Sequence, residues 1–248
     1  MGFIENMTDG GFAHERRVDH AYDLSFDLRG AIAPFLEVTL ANGEGLICDR
    51  SCVLQHDFGL TIKRWPGLGG SRWLVVNSGD EEEASVMLTA AEPGVIGSFE
   101  LSDYGGRLIC LADSLMANGP GGKASYYARF EEMGLALVML EGNGWAFLRS
   151  RGDVFEYRMA PGEKICMRAR NVAAMTATVN FEPVAGICQT PVGQGEPEFV
   201  SLTGPGTIWM QSISQPSESK LPRRREPGHS DALEMRTGGL AFLNGTSA

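Results

Sequence analysis

A chain of 248 residues can form one large β domain or two small ones, and either is long enough to bury a real hydrophobic core. Its formal net charge of −10 repels nucleic-acid phosphates and anionic headgroups, and no run nears the roughly 18 apolar residues that span a bilayer as a helix. Apolar content is an ordinary 43%, but 32 glycines exceed the roughly 7% norm and point to many turns, hence to an all-β protein.

Residues 1–21 are polar and Gly-bearing, without periodicity or an apolar core of signal-peptide length, so the expected location is cytoplasmic. From Tyr22, the apolar Tyr22, Leu24, Phe26 and Leu28 alternate with polar neighbours, which predicts a half-buried strand. Phe35 to Leu40 is the next strand. Asn42-Gly43 then predicts a type I′ hairpin, with Gly45 to Leu54 folding back as its partner. Strands follow at Gly59 to Lys63 and Arg72 to Val76, then an acidic solvated turn, Asp80 to Glu83, and a strand from Ala84 to Ala90. Pro93 to Leu101 is turned by Asp103-Tyr104-Gly105-Gly106, and Arg107 to Ala112 returns.

Asn118 to Gly122, rich in glycine, is the expected boundary between halves. Ser125 to Met133 suits either a helical turn or a strand. Strands then run at Leu135 to Leu140, Trp145 to Ser150, Val154 to Met159, Lys164 to Ala169, Val172 to Phe181, Phe199 to Leu202 and Thr207 to Ser212. Short strands with Gly-bearing turns every eight to twelve residues are the pattern of a sandwich or barrel. After Ser214 the composition is that of a linker, with one basic run at Arg223, Arg224 and Arg225.

Two phrases recur. Gly142-x-Gly144 followed by Phe147, Leu148 and Ser150 returns as Gly204-x-Gly206 followed by Trp209, Met210 and Ser212. Leu36-Glu37-Val38 leading to Gly43-Glu44 returns as Phe155-Glu156-Tyr157 leading to Gly162-Glu163. Repeated strand and turn vocabulary indicates internal duplication. The expected organisation is a lead at 1–21, a first β unit at 22–118, a second at 119–213 and a flexible tail at 214–248.

Few side chains suggest chemistry. Only His56 of the four histidines lies in the strand-rich body, which leaves a cupin-type metal centre without ligands and a nucleophilic triad without a second candidate base. Cys48-x-x-x-Cys52 lacks a second ligand pair, so the five cysteines read as buried reduced thiols. Both Gly-x-Gly phrases precede strands, where no helix N-terminus can receive phosphate. Trp73, Trp145 and Trp209 read as core. No catalytic, metal-binding or cofactor-binding residue is assigned, and the expected protein is a non-enzymatic, oligomeric β-scaffold that binds an unidentified protein partner or a membrane-associated complex. A second reading is a ligand-binding barrel lined by Arg72, Arg149 or Arg168. A third gives Arg223 to Arg225 an anionic surface to contact.

The phrases LEGNGWAFL, FEYRMAPGEKICM, AAMTATVNF and above all LTGPGTIWMQS resemble the altered-inheritance-of-mitochondria 24 family, over about residues 22 to 213. The resemblance implies two tandem short double-stranded β-helix units similar to the tryptophan-RNA-binding attenuation protein, packed into homotrimers, and it carries over no catalytic residues. The namesake members are linked to inner-membrane organisation in mitochondria. Without an Arg-rich presequence, this chain resembles a bacterial member.

Overall fold

The structure, a computed structural model, describes residues 4–6, 24–30, 33–68, 72–90, 92–184 and 199–214. Among these the protein is all-β, with twenty strands, a few single-turn 3-10 segments and no α-helix. Among the described residues no helix is long and apolar enough to cross a membrane.

Eighteen strands fall into three successive sets of six. The first set is β3 (Phe35–Ala41), β4 (Gly45–Asp49), β5 (Val53–His56), β6 (Leu60–Arg64), β7 (Arg72–Asn77) and β8 (Glu83–Thr89). The second is β9 (Gly94–Glu100), β10 (Arg107–Leu111), β11 (Leu115–Asn118), β12 (Gly122–Phe130), β13 (Leu135–Gly142) and β14 (Trp145–Arg151). The third is β15 (Val154–Met159), β16 (Lys164–Arg168), β17 (Val172–Thr176), β18 (Asn180–Pro183), β19 (Phe199–Thr203) and β20 (Gly206–Gln211). In every set the sixth strand lies antiparallel between the first and the third, and the fifth lies between the second and the fourth. Two outer strands, β1 (Ile4–Asn6) and β2 (Ser25–Arg29), add to β15 and β3 respectively.

The sets join edge to edge. β11 of the second set pairs with β4 of the first, and β17 of the third pairs with β10 of the second. The sheets therefore run β6-β7-β4-β11-β14-β9 and β1-β15-β20-β17-β10-β13-β12, leaving a four-stranded sheet β2-β3-β8-β5 and a three-stranded sheet β16-β19-β18.

Alternation along each strand places the core. β3 buries Leu36, Val38 and Leu40 and β8 buries Ala84, Val86 and Leu88, and these pack with Leu46 and Cys48 of β4 and Val75 of β7. A second cluster centres on Ile109, Leu137, Val200, Leu202 and Ile208, and a third on Leu108, Val138, Leu140, Leu148 and Trp209. Each fully buried Leu, Ile or Val contributes about 1.5–3 kcal/mol relative to exposure. Trp145 and Trp209 are core residues, as expected, while Trp73 is half-buried with the Arg50 guanidinium 5.4 Å from its ring centre.

The repeat and hairpin readings change in detail. The division expected between residues 118 and 119 falls between β11 and β12, inside the second of three like sets. Asn42-Gly43 makes no hairpin, since β3 pairs with β2 and β8 while β4 pairs with β7 and β11. Only Gly43 has a positive φ, at 85°, whereas a type I′ turn needs two such residues. The turn instead crosses from one layer to the other, its Asn42 and Gly43 amides donating to the Glu82 and Asn77 carbonyls. Arg107 to Leu111 likewise pairs with β13 and β17, not with β9. The open segment Ser125 to Met133 is β12 followed by one 3-10 turn.

Candidate functional site

The most concentrated chemistry lies where the first set meets the second. Arg72 opens β7 and is only 3% exposed, its charge reaching across to the neighbouring set. It donates from Nη2 to the Leu115 carbonyl at 2.7 Å and from Nη1 to the Met116 carbonyl at 3.2 Å. Burial depresses the Arg72 pKa, and the nearby Asp49 opposes that shift. A bulge interrupts the ladder between Leu115 and Ala117, and the guanidinium binds both carbonyls beside it.

Arg149, on β14, serves the same boundary from the other side. Its Nε donates to the Asp113 carbonyl at 2.8 Å, Nη1 to the Cys52 sulfur at 3.0 Å, and Nη2 lies 3.5 Å from Asp49 Oδ2. Asp49 also accepts from the Ser51 amide at 2.9 Å, which fixes the 3-10 turn Arg50–Cys52. Each charged group is therefore shared between turn-fixing and set-joining contacts.

Burial holds the three thiols around this boundary in the neutral form. It pushes Cys48 and Cys110 up to about 12, with Arg72 pulling slightly the other way, and it raises Cys52 against the Arg149 charge. A thiol that stays protonated is a poor nucleophile at neutral pH. Among the described residues no three His, Cys, Asp or Glu side chains group as a metal site.

The remaining sequence candidates are dispersed. Arg168, on β16, stacks over Phe199 at 5.5 Å in the three-stranded sheet, away from the Arg72 and Arg149 contacts. His56 is exposed at the end of β5 with Nδ1 3.0 Å from the Asp57 carbonyl, and the Asp57 carboxylate takes the amide and hydroxyl of Ser85 instead of the imidazole. No His–Asp pair is assembled there. Asp80 to Glu82 lie exposed in the connection between β7 and β8, and Glu83, also exposed, opens β8. Arg223 to Arg225 lie outside the described residues.

Residue-type reasoning did not single out two of the strands that end these sheets. β5 ends the four-stranded sheet and β16 ends the three-stranded one. Leu54 on β5 is 60% exposed, Phe58 just beyond it is fully exposed, and Cys166 on β16 is the one exposed cysteine among the described residues. A strand edge is defined by pairing with residues far away in the chain, so local pattern carries no sign of it.

No curated protein matches the chain. Among solved structures, the X-ray crystal structure of a Streptococcus pyogenes protein is similar at a TM-score of 0.67 and 17% identity, covering 77% of this chain and 94% of the other, which establishes a shared fold. The family described as mitochondrial biogenesis AIM24 matches residues 26–213, the whole body from β2 to β20, and the chain belongs to that family.

Proposed function

We propose that the protein is a non-enzymatic, homo-oligomeric β-scaffold, a trimer in its simplest closed form, that presents its sheets to another protein in the cytoplasm of a bacterial cell. Its six-strand sets are read as short double-stranded β-helix units, matching the alternation of partners between two layers. The observation that carries the reading is the use made of Arg72 and Arg149. These are the side chains that would line a ligand site, and their partnered donors go to Leu115, Met116 and Asp49, each in the facing set, and to Asp113 in the turn before β11. A pocket arginine would aim at least one donor into a cavity. Large apolar side chains at the surface, Leu54, Phe58, Tyr127 and Ile213, supply the contact area that a protein partner needs.

The test is the solution mass by light scattering, for the full chain and for a chain ending at Ser214. A stable oligomer in both supports the scaffold. A monomer at all concentrations overturns it and returns attention to ligand screening.

A further inference from the structure

The three sets correspond residue by residue. A bulge interrupts the third strand of each set between Val53 and Gln55, Leu115 and Ala117, and Val172 and Ala174, so these positions are equivalent. The second strand ends at Asp49, Leu111 and Arg168, always four residues before that bulge begins. Cys48, Cys110 and Met167 are therefore equivalent, as are Ile47, Ile109 and Cys166.

Both internal junctions then use one register. Ala117 faces Cys48 and Asn118 faces Ile47 at the first, and Ala174 faces Cys110 and Met175 faces Ile109 at the second. In each, the third strand of a later set meets the second strand of the set before it. That rule leaves one strand of each kind without a mate among the described residues. β5 is a third strand with no second strand beside it, and β16 is a second strand with no third strand beside it.

We propose that β5 of one copy pairs with β16 of a second copy, antiparallel, with Gln55 facing Met167 and His56 facing Cys166. The junction repeats between chains what joins the sets within one. It rests on the oligomeric reading above and gives that reading its contact surface.

Exposure separates the made junctions from the unmade one. All four residues of β11 and the first four of β17 are buried, whereas on β5 Val53 is half-buried and Leu54, Gln55 and His56 are exposed. Cys48 and Cys110 are 0% and 1% exposed, but their equivalent Met167 is only half-buried. Leu54 keeps the apolar character of its equivalents Met116 and Ala173 although it faces water.

Strand order points the same way. The existing seven-stranded sheet runs outer strand, first, sixth and third strands of one set, then second, fifth and fourth strands of another. Joining β2-β3-β8-β5 to β16-β19-β18 reproduces that order. The occupant is a second copy because, within one chain, these edges share no ladder even though both internal junctions are complete. Such a contact uses two different surfaces, so it is heterologous and closes into a ring or continues as a filament. Polar Gln55 and His56 suit an edge that meets water before it meets its mate.

The test is a disulfide. Directly opposed residues of an antiparallel pair have Cα atoms about 4.5–5.5 Å apart, inside the range a disulfide accepts. Full-length protein carrying His56→Cys is oxidised mildly and run without reductant. The proposal expects links between chains that increase with protein concentration and disappear when Cys166→Ser is added. The pair Gln55→Cys and Met167→Cys, with Cys166→Ser, should link as well, which guards against a fault peculiar to position 56. A link confined to single chains, or no link from either pair in protein with wild-type circular dichroism, overturns the proposal. The wild-type solution mass keeps the two ideas distinct: an oligomer whose cysteines do not link leaves the scaffold standing with another interface, and a monomer removes both.

Discussion

Arg72 Nη2 lies 2.7 Å from the Leu115 carbonyl, so the first residue of β7 bonds to the first residue of β11 in the next set. A buried guanidinium is costly to desolvate, and here two carbonyl acceptors and the nearby Asp49 compensate it. Its Nε has no hydrogen-bond partner among the described residues, so compensation is incomplete and the arrangement serves geometry more than stability. Arg72→Ala should destabilise the protein by about 3 kcal/mol, from two lost charge-assisted bonds to carbonyls of buried residues. Arg72→Lys should recover less than half, since an ammonium cannot reproduce the fork. Urea unfolding measures both, and a loss below about 1 kcal/mol for Arg72→Ala would refute the joining role.

Glu163 accepts from the Tyr157 hydroxyl at 2.5 Å and from the Ala160 amide at 2.8 Å, and these bonds hold its carboxyl below the usual range. A depressed carboxyl adds stability that is present above its unfolded pKa and is lost as pH falls through the folded value. The folded protein should therefore weaken as pH drops below the ordinary glutamate range. Tyr157→Phe should move the Glu163 titration upward, towards its usual value, and flatten that loss. Side-chain NMR titration of Glu163 decides the point, and an unmoved titration in Tyr157→Phe defeats it. The same bond raises the Tyr157 phenol, whose contribution is present at neutral pH and is lost as pH rises through its folded pKa.

The Glu163 turn also shows what was legible. Glu44 accepts from the Ala41 amide at 2.8 Å as Glu163 does from Ala160, so the recurring Gly-Glu phrase is one physical device used twice. It joins first to second strands in the first and third sets. The second set makes that connection with a 3-10 segment, Leu101–Tyr104, closed by Gly105 and Gly106 at φ of 68° and 74°. The Gly-x-Gly phrase, in turn, marks the connection between fifth and sixth strands in the second and third sets, while the first uses the acidic stretch before β8. Each phrase shows two copies, and only the pairing pattern counts three. Strand positions followed from period-two alternation; partners did not, because β4 and β11 meet across about seventy residues of chain with no local sign.

Thiol reactivity should follow burial. In native protein at high dilution, Cys166 should react with an aromatic disulfide reagent far faster than Cys48, Cys52 or Cys110, which should label only on unfolding. Mass mapping of labelled peptides reads this directly. Concentrating the protein should slow Cys166 selectively as β16 is covered. Equal rates for Cys48 and Cys166 in the dilute native protein would contradict the buried arrangement.

Two glycine substitutions should separate space from conformation. A Cβ on Gly94 would sit 1.8 Å from the Ser150 carbonyl oxygen, because β9 and β14 approach closely there and neither backbone can yield without breaking the ladder that runs from Gly94–Arg151 to Glu100–Trp145. Gly43 is the opposite case, with φ at +85° and nothing within 4 Å of an added Cβ. Gly43→Ala should cost about 1 kcal/mol, the strain of a left-handed residue alone. Gly94→Ala should cost about 3 kcal/mol through overpacking against fixed backbone. Thermal and urea unfolding of both variants give the comparison. A Gly94→Ala protein as stable as Gly43→Ala would mean that β9 and β14 lie farther apart than their register requires.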